Sequence, residues 1–402
     1  MILSKILLAV KKNKHIMYLL ITTFLSMAIS MLNTIIIARF LGANGRGTIQ
    51  LILTAQGLLA TACSFGLGVS YIYNLKKKCI DIGLIDIILK VILFSIISSI
   101  IFIYTQDIND FLFPIIFIVL TTSISFTLLD IMKVEKDLLG YRYATLIPIL
   151  LNFTLNIFLI FLDKFNISSA INTLLFSQLI QTIYIVYYCN KKIQIVKFKF
   201  YKFIKIFTYK ETKYYVFILG FTIVVTSISN HIDKLVVYNI LGLYELGKLS
   251  IIISLCAILN KIFDILSTSY FSHRLQKNNK PKNIVKIFLL IILLYFFISP
   301  LIYLIGNKFI PVIFGSEFID LGDILVIMLL NSIVTGFNSI IAQEFNIQGK
   351  PLFTLIRVSL SILLFIFLAY IFADFMLIGI TISILLSSIF RLALSLTFLR
   401  KL

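Results

Sequence analysis

Apolar runs of about 20 residues recur along the whole chain, and no polar stretch between them is long enough for a soluble domain. A helix of that length spans the hydrocarbon of a bilayer at about 1.5 Å per residue. Lipid offers backbone groups no partners, so each segment must satisfy its own hydrogen bonds, and non-alternating apolar runs do so only as helices. The chain therefore reads as an all-α integral membrane protein. Apolar windows predict helices near 16–38, 48–73, 82–104, 111–132, 144–162 and 169–188, then 214–238, 249–271, 284–305, 322–345, 353–373 and 376–398. Of the 402 residues 60% are hydrophobic and 13% charged, which excludes an appended catalytic domain.

The net charge of +19 would suggest nucleic acid in a soluble protein. In a membrane protein it is first a matter of topology, because cytoplasmic loops collect Lys and Arg. With twelve spans, the termini and the even-numbered loops carry 27 cations and the opposite side five: Arg39, Arg46, Lys164, Lys248 and Lys308. That bias predicts cytoplasmic termini in a bacterial inner membrane, with no nucleic-acid partner. Lys90, Lys234, Lys261 and Arg391 fall at membrane depth. Residues 191–213 interleave eight lysines with Phe198, Phe200, Phe203 and Phe207, the pattern of a basic amphipathic helix on anionic lipids. Cys63, Cys79, Cys189 and Cys256 lack metal-site spacing and read as small core residues. The first apolar run is too long for a cleaved signal and is predicted to be retained.

The two halves repeat. Leu41-Gly42 and Gly47 follow the first predicted helix, and Leu241-Gly242 and Gly247 follow the seventh, 200 residues on. Gly140 before helix five similarly matches Gly349 before helix eleven. Glycines permit a tight turn between adjacent helices. Six helices separate the units, so both halves point the same way, as in parallel-repeat transporters. The predicted organisation is an N-terminal six-helix lobe over 1–190, a cytoplasmic linker over 191–213 and a C-terminal six-helix lobe over 214–402.

Ala38-Arg-Phe-Leu-Gly-Ala-Asn-Gly-Arg-Gly47, Phe65-Gly-Leu-Gly68, Ile232-Asp-Lys-Leu235 and Phe314-Gly-Ser-Glu-Phe318 together resemble the bacterial polysaccharide flippases. These are the Wzx-like repeat-unit transporters of the multidrug/oligosaccharidyl-lipid/polysaccharide (MOP) superfamily, which has a MATE-like architecture. The resemblance implies a non-enzyme with no cofactor. It implies alternating access that moves an undecaprenyl-diphosphate-linked oligosaccharide outward for O-antigen, lipopolysaccharide, capsule or exopolysaccharide synthesis. A polysaccharide polymerase and a chain-length regulator are the implied partners. The alternative within the superfamily is a MATE-type multidrug or cation exporter.

Charges at membrane depth are costly and point to function. Arg39, Lys234 and Lys261 are candidates for a lipid diphosphate in a central cavity, because Lys and Arg pair with phosphate oxygens. Asn33 is a candidate for sugar hydroxyls, Asp233 and Asp264 for a coupling ion, and Gly42, Gly47, Gly242 and Gly247 for structural turns. Arg39 can also snorkel, Lys261 can pair with Asp264 three residues on, and Asn33 can bond a neighbouring helix. Arg391 and Lys90 lie near cytoplasmic ends, where snorkelling is expected, and Glu344 is expected at the interface. No catalytic constellation, nucleotide-sugar DxD pair or metal site is discernible. Cysteines introduced at Ser4 and Thr397 are predicted to label only from the cytoplasm. Periplasmic labelling of either would reverse the orientation.

Overall fold

The computed structural model describes residues 14–65, 84–106, 111–134, 138–193, 210–277, 284–347 and 351–400. These form eleven helices and no strand: α1 Lys14–Ser64, α2 Leu84–Gln106, α3 Leu112–Val134, α4 Leu138–Phe161, α5 Ile167–Ile193, α6 Lys210–Leu241, α7 Leu243–Lys277, α8 Ile284–Phe314, α9 Gly322–Ile347, α10 Pro351–Ile371 and α11 Met376–Arg400. Ten are long and apolar enough to cross a bilayer, and α6, at 32 residues, has the length to do so. The α1 helix is broken at Gly42, where φ is +65°, so the described residues contain twelve helical limbs. Most of the linker expected over 191–213 lies outside them, as does Cys79. Cys63, Cys189 and Cys256 are buried free thiols.

Packing divides the chain into two units, Met1–Asn33 with Ala55–Ile223, and Thr34–Thr54 with Val224–Leu402. Within the first, α2 packs on α3, α3 on α5 and α4 on α5; within the second, α8 packs on α9, α9 on α11 and α10 on α11. Shifted by six limbs these are the same three pairings, so the internal repeat extends from motif to architecture. The equivalent helices α3 and α9 are the most enclosed, each 61% buried over its span, whereas α8 is 6% buried. Phe296, Phe297, Leu290 and Leu293 of α8 are exposed, as suits side chains meeting lipid. Helix ends follow local chemistry. At the start of α5 the Asn166 side chain accepts from the Ser169 N–H at 2.8 Å, while Ser169 Oγ accepts from the Asn166 N–H at 2.8 Å, a reciprocal capping box.

The turn glycines explain why Thr34–Thr54 packs with the second unit and not with the 1–190 lobe expected from the sequence. Gly242 has φ +86°, the counterpart of the break at Gly42. A Cβ on Gly47 would overlap the carbonyl oxygen of Leu243, and a Cβ on Gly247 would overlap that of Ala43. This reciprocal contact is a crossing in which backbone meets backbone, and only glycine permits it. The α8–α9 connection closes the same corner. The Glu317 carboxylate accepts from the Ala43 N–H at 2.6 Å, capping the limb that begins after Gly42. Arg39 donates to the carbonyls of Val312 and Ile313 at the end of α8. Arg46, expected in an outer loop, is instead 4% exposed and donates to Ser250 Oγ at 3.0 Å.

Gly47→Val and Gly247→Val should each lower the thermal stability of purified protein by about 1–3 kcal/mol or more, the usual cost of overpacking. Ala28→Val, at an exposed position, should have almost no effect. Thermal unfolding in detergent measures this, and equal stability of all three variants would contradict the backbone crossing.

Candidate functional site

The second unit encloses a cavity of about 500 Å³, walled by α6, α7, α9, α10 and α11. Its volume suits a small-molecule site, and its wall is far more polar than a membrane helix bundle requires. Lys234, Arg357 and Arg391 supply cations, Asp233 and Asp264 supply carboxylates, and Asn331 is one of several amides and hydroxyls. Helical spacing produces this wall. Asn230 and Lys234 stand one turn apart on α6, as do Arg357 and Ser361 on α10.

Lys234 is 8% exposed. Its ammonium donates to the Asn230 carbonyl at 2.6 Å and lies 3.5 Å from Asp233. The two arginines form a reciprocal arrangement across α10 and α11. Arg357 on α10 donates to Ser395 of α11 at 2.6 Å, and Arg391 on α11 donates to Ser361 of α10 at 3.0 Å. Arg391 also reaches Ser229 on α6 at 2.8 Å. The Arg357 guanidinium stacks over the Phe345 ring at 5.3 Å. Asn338 ties α9 to α11 by donating to the Ser388 carbonyl at 3.0 Å. Four buried polar atoms on the wall, Arg357 Nε, Asn331 Oδ1, Thr354 Oγ1 and Asp233 Oδ1, have no hydrogen-bond partner in the protein, although Asp233 Oδ1 lies 3.5 Å from the Lys234 ammonium.

The sequence-derived residues are distributed as follows. Lys234, Asp233 and Asp264 come together on the cavity wall. Lys261 is half-exposed and pairs with Asp264 at 3.9 Å. Arg39 is exposed and bound to the α8 carbonyls. Asn33 lies in the first unit, in a closed network: it donates to Asn152 at 2.8 Å and accepts from Asn156 at 2.8 Å, while Thr173 donates to Asn156 at 2.6 Å. By the 200-residue register Asn33 is the counterpart of Asp233, and Thr34 of Lys234. The same positions are neutral in one half and charged in the other.

The sequence reading did not single out the arginine pair. Arg357 is 3% exposed, and Arg391, expected to snorkel, turns inward to Ser361 and Ser229. The signal was present: an arginine followed four residues later by a serine occurs in both Arg357-Val-Ser-Leu-Ser361 and Arg391-Leu-Ala-Leu-Ser395, one turn apart on each helix. Glu344, expected at the interface, is buried and accepts a hydrogen bond from Tyr270. Among the described residues, no group of His, Cys, Asp and Glu is placed to hold a metal ion.

No protein-family model and no curated protein matches the chain. Solved structures do match it. The lipid II flippase MurJ in an inward closed conformation aligns with a TM-score of 0.71 at 17% identity, over 94% of this chain and 87% of that one. An inward-facing multidrug resistance MATE family transporter of the MOP superfamily gives 0.62 at 15% identity, over 94% and 95%. A MOP superfamily transporter from Pyrococcus furiosus, described by the reverse polarity of its binding pocket, gives 0.58 at 16% identity, over 96% and 95%. The chain thus has the fold of the MOP-superfamily transporters, and it has it along almost its whole length.

The closed Asn network makes a stability prediction. Asn156→Ala should cost about 0.6–2 kcal/mol, the range for interhelical hydrogen bonds in membranes, and Leu363→Ala on the exposed face of α10 almost nothing. Unchanged thermal unfolding of Asn156→Ala would show that the network contributes nothing.

Proposed function

We propose that this protein is a flippase that moves an undecaprenyl-diphosphate-linked oligosaccharide repeat unit from the inner to the outer leaflet of a bacterial cytoplasmic membrane, by alternating access, for surface polysaccharide synthesis. The observation that carries the reading is the balance of charge in the cavity. Three cations and two carboxylates line it, in a fold shared with a lipid II flippase. A diphosphate headgroup brings charge of the opposite sign, and cations held away from bulk water attract it more strongly than exposed ones do. The amides and hydroxyls around them match sugar hydroxyls, while an isoprenoid chain has the surrounding lipid as its natural solvent.

Lys234 is the principal diphosphate ligand in this reading, because it is buried and on the cavity wall. Lys261, next to Asn260 and one turn before Asp264 on α7 and half-exposed, is proposed to meet the headgroup as it enters. Arg39 is proposed for the same encounter, although its carbonyl contacts also hold the corner at Gly42 together. Asp233 and Asp264 are the groups proposed to link transport to an ion gradient. The cation-exporter alternative draws on the same two carboxylates, but each faces a lysine, which opposes capture of a cationic drug.

Surface glycan in cells lacking the native copy tests the proposal. Lys234→Ala should reduce it at least about tenfold, as expected for loss of a charge-assisted hydrogen bond, and Lys261→Ala should reduce it less. Arg39→Ala should lower both glycan and the amount of folded protein. The exposed Lys164→Ala should match wild type. Normal glycan from both lysine variants at normal protein levels would remove the cationic site.

A further inference from the structure

The arginine pair goes beyond what a diphosphate ligand built on Lys234 requires. Both carboxylates on the cavity wall already face lysines, Asp233 at 3.5 Å from Lys234 and Asp264 at 3.9 Å from Lys261. The hydrogen-bond partners of Arg357 and Arg391 are instead neutral: Ser395 and the Asn338 carbonyl for one, Ser361 and Ser229 for the other. Two guanidinium charges therefore line one cavity, and Ser395, which accepts from the Arg357 guanidinium, donates to the Arg391 backbone carbonyl at 2.6 Å. Neither has an anion within the protein to balance it among the described residues. Buried charges are retained when they are paired.

We propose that Arg357 and Arg391 form an oxyanion subsite for a carboxylate or phosphate carried on a sugar, so that the cavity selects acidic saccharides over neutral ones. This rests on the reading of the cavity as the binding site of a transported glycan. Three independent features support it. The first is the uncompensated charge, in a side chain whose planar fork matches a carboxylate or phosphate. The second is the set of unpartnered atoms. Arg357 is 3% exposed and Asn331 8% exposed, yet Arg357 Nε donates to nothing and Asn331 Oδ1 accepts from nothing. An unpartnered donor and an unpartnered amide oxygen on the wall of one cavity are what a charged oxygen and a hydroxyl of one sugar would satisfy together. The third is size: about 500 Å³ far exceeds a bare ion and holds a sugar ring. At the aligned positions the first half carries no arginine. By the 209-residue register of the matched Gly140 and Gly349, Arg357 aligns with Pro148 and Arg391 with Thr182.

The test is calorimetric titration of purified full-length protein in lipid nanodiscs with glucuronate, glucose 1-phosphate, glucose and inorganic phosphate. At least one of the two sugar anions should bind about 10-fold or more tightly than glucose. The two anions distinguish a carboxylate from a phosphate as the natural group. Arg357→Gln and Arg391→Gln should each weaken that binding by about 10- to 100-fold, the effect of losing a charged hydrogen-bond partner. Arg391→Lys should recover part of it, and Lys164→Gln should change nothing. Should the glutamine variants fail to fold, the wild-type comparison decides alone. Equal affinity for glucose and both anions, or no binding of either anion to folded protein, would overturn the subsite. Inorganic phosphate binding as tightly as the sugar anions would overturn its selectivity for sugars. Normal glycan export alongside failed anion binding would remove the subsite and leave the transport reading intact. Intact anion binding with no export would do the reverse.

Discussion

The bilayer core contains no solvent for a polar group, and the rest of this structure follows from how each polar group finds a partner. Around Asn33 in the first unit the solution is closure: Asn33, Asn152, Asn156 and Thr173 bond one another. On the cavity wall of the second unit closure is incomplete. The lysines face carboxylates, the arginines donate to neutral serines, and Arg357 Nε and Asn331 Oδ1 are left over. A cavity that a protein cannot satisfy internally is one that a ligand can.

The contrast between units arises on a common frame. The same helix pairings occur in both, and the same glycines break the chain 200 residues apart. Where Gly47 and Gly247 let backbones touch, the corner between Thr34 and Thr54 becomes part of the second unit. Glu317 then caps the freed Ala43 N–H, which gives the Phe314-Gly-Ser-Glu-Phe318 segment a physical role. Conserving the frame while exchanging Asn33 for Asp233 and Thr34 for Lys234 is how one half can differ in function without differing in fold.

Much of the frame was legible in the sequence because apolar length and glycine position are local properties. Helix count, repeat register and the turns at Gly42 and Gly242 could be read directly. The assignment of Thr34–Thr54 to the second unit could not, because it depends on which backbone Gly47 meets. Charges were legible in number but not in direction. A lysine or arginine two turns from a helix end can snorkel or turn inward, and position along the span does not distinguish the two. For Arg391 the deciding partners, Ser361 and Ser229, lie 30 and 162 residues away. Burial of Arg46 and Glu344 was hidden for the same reason. The repeated arginine–serine spacing was visible, but it acquires meaning only once α10 and α11 are known to pack together.

The central claim is that the charged second unit serves an anionic, lipid-linked saccharide and not a cationic drug. Transport in proteoliposomes that contain the purified protein measures this most directly, with a fluorescent undecaprenyl-diphosphate oligosaccharide and ethidium assayed side by side. The account predicts that the protein accelerates leaflet exchange of the saccharide over protein-free vesicles and leaves ethidium unmoved. Accumulation of ethidium with no acceleration of the saccharide would contradict it.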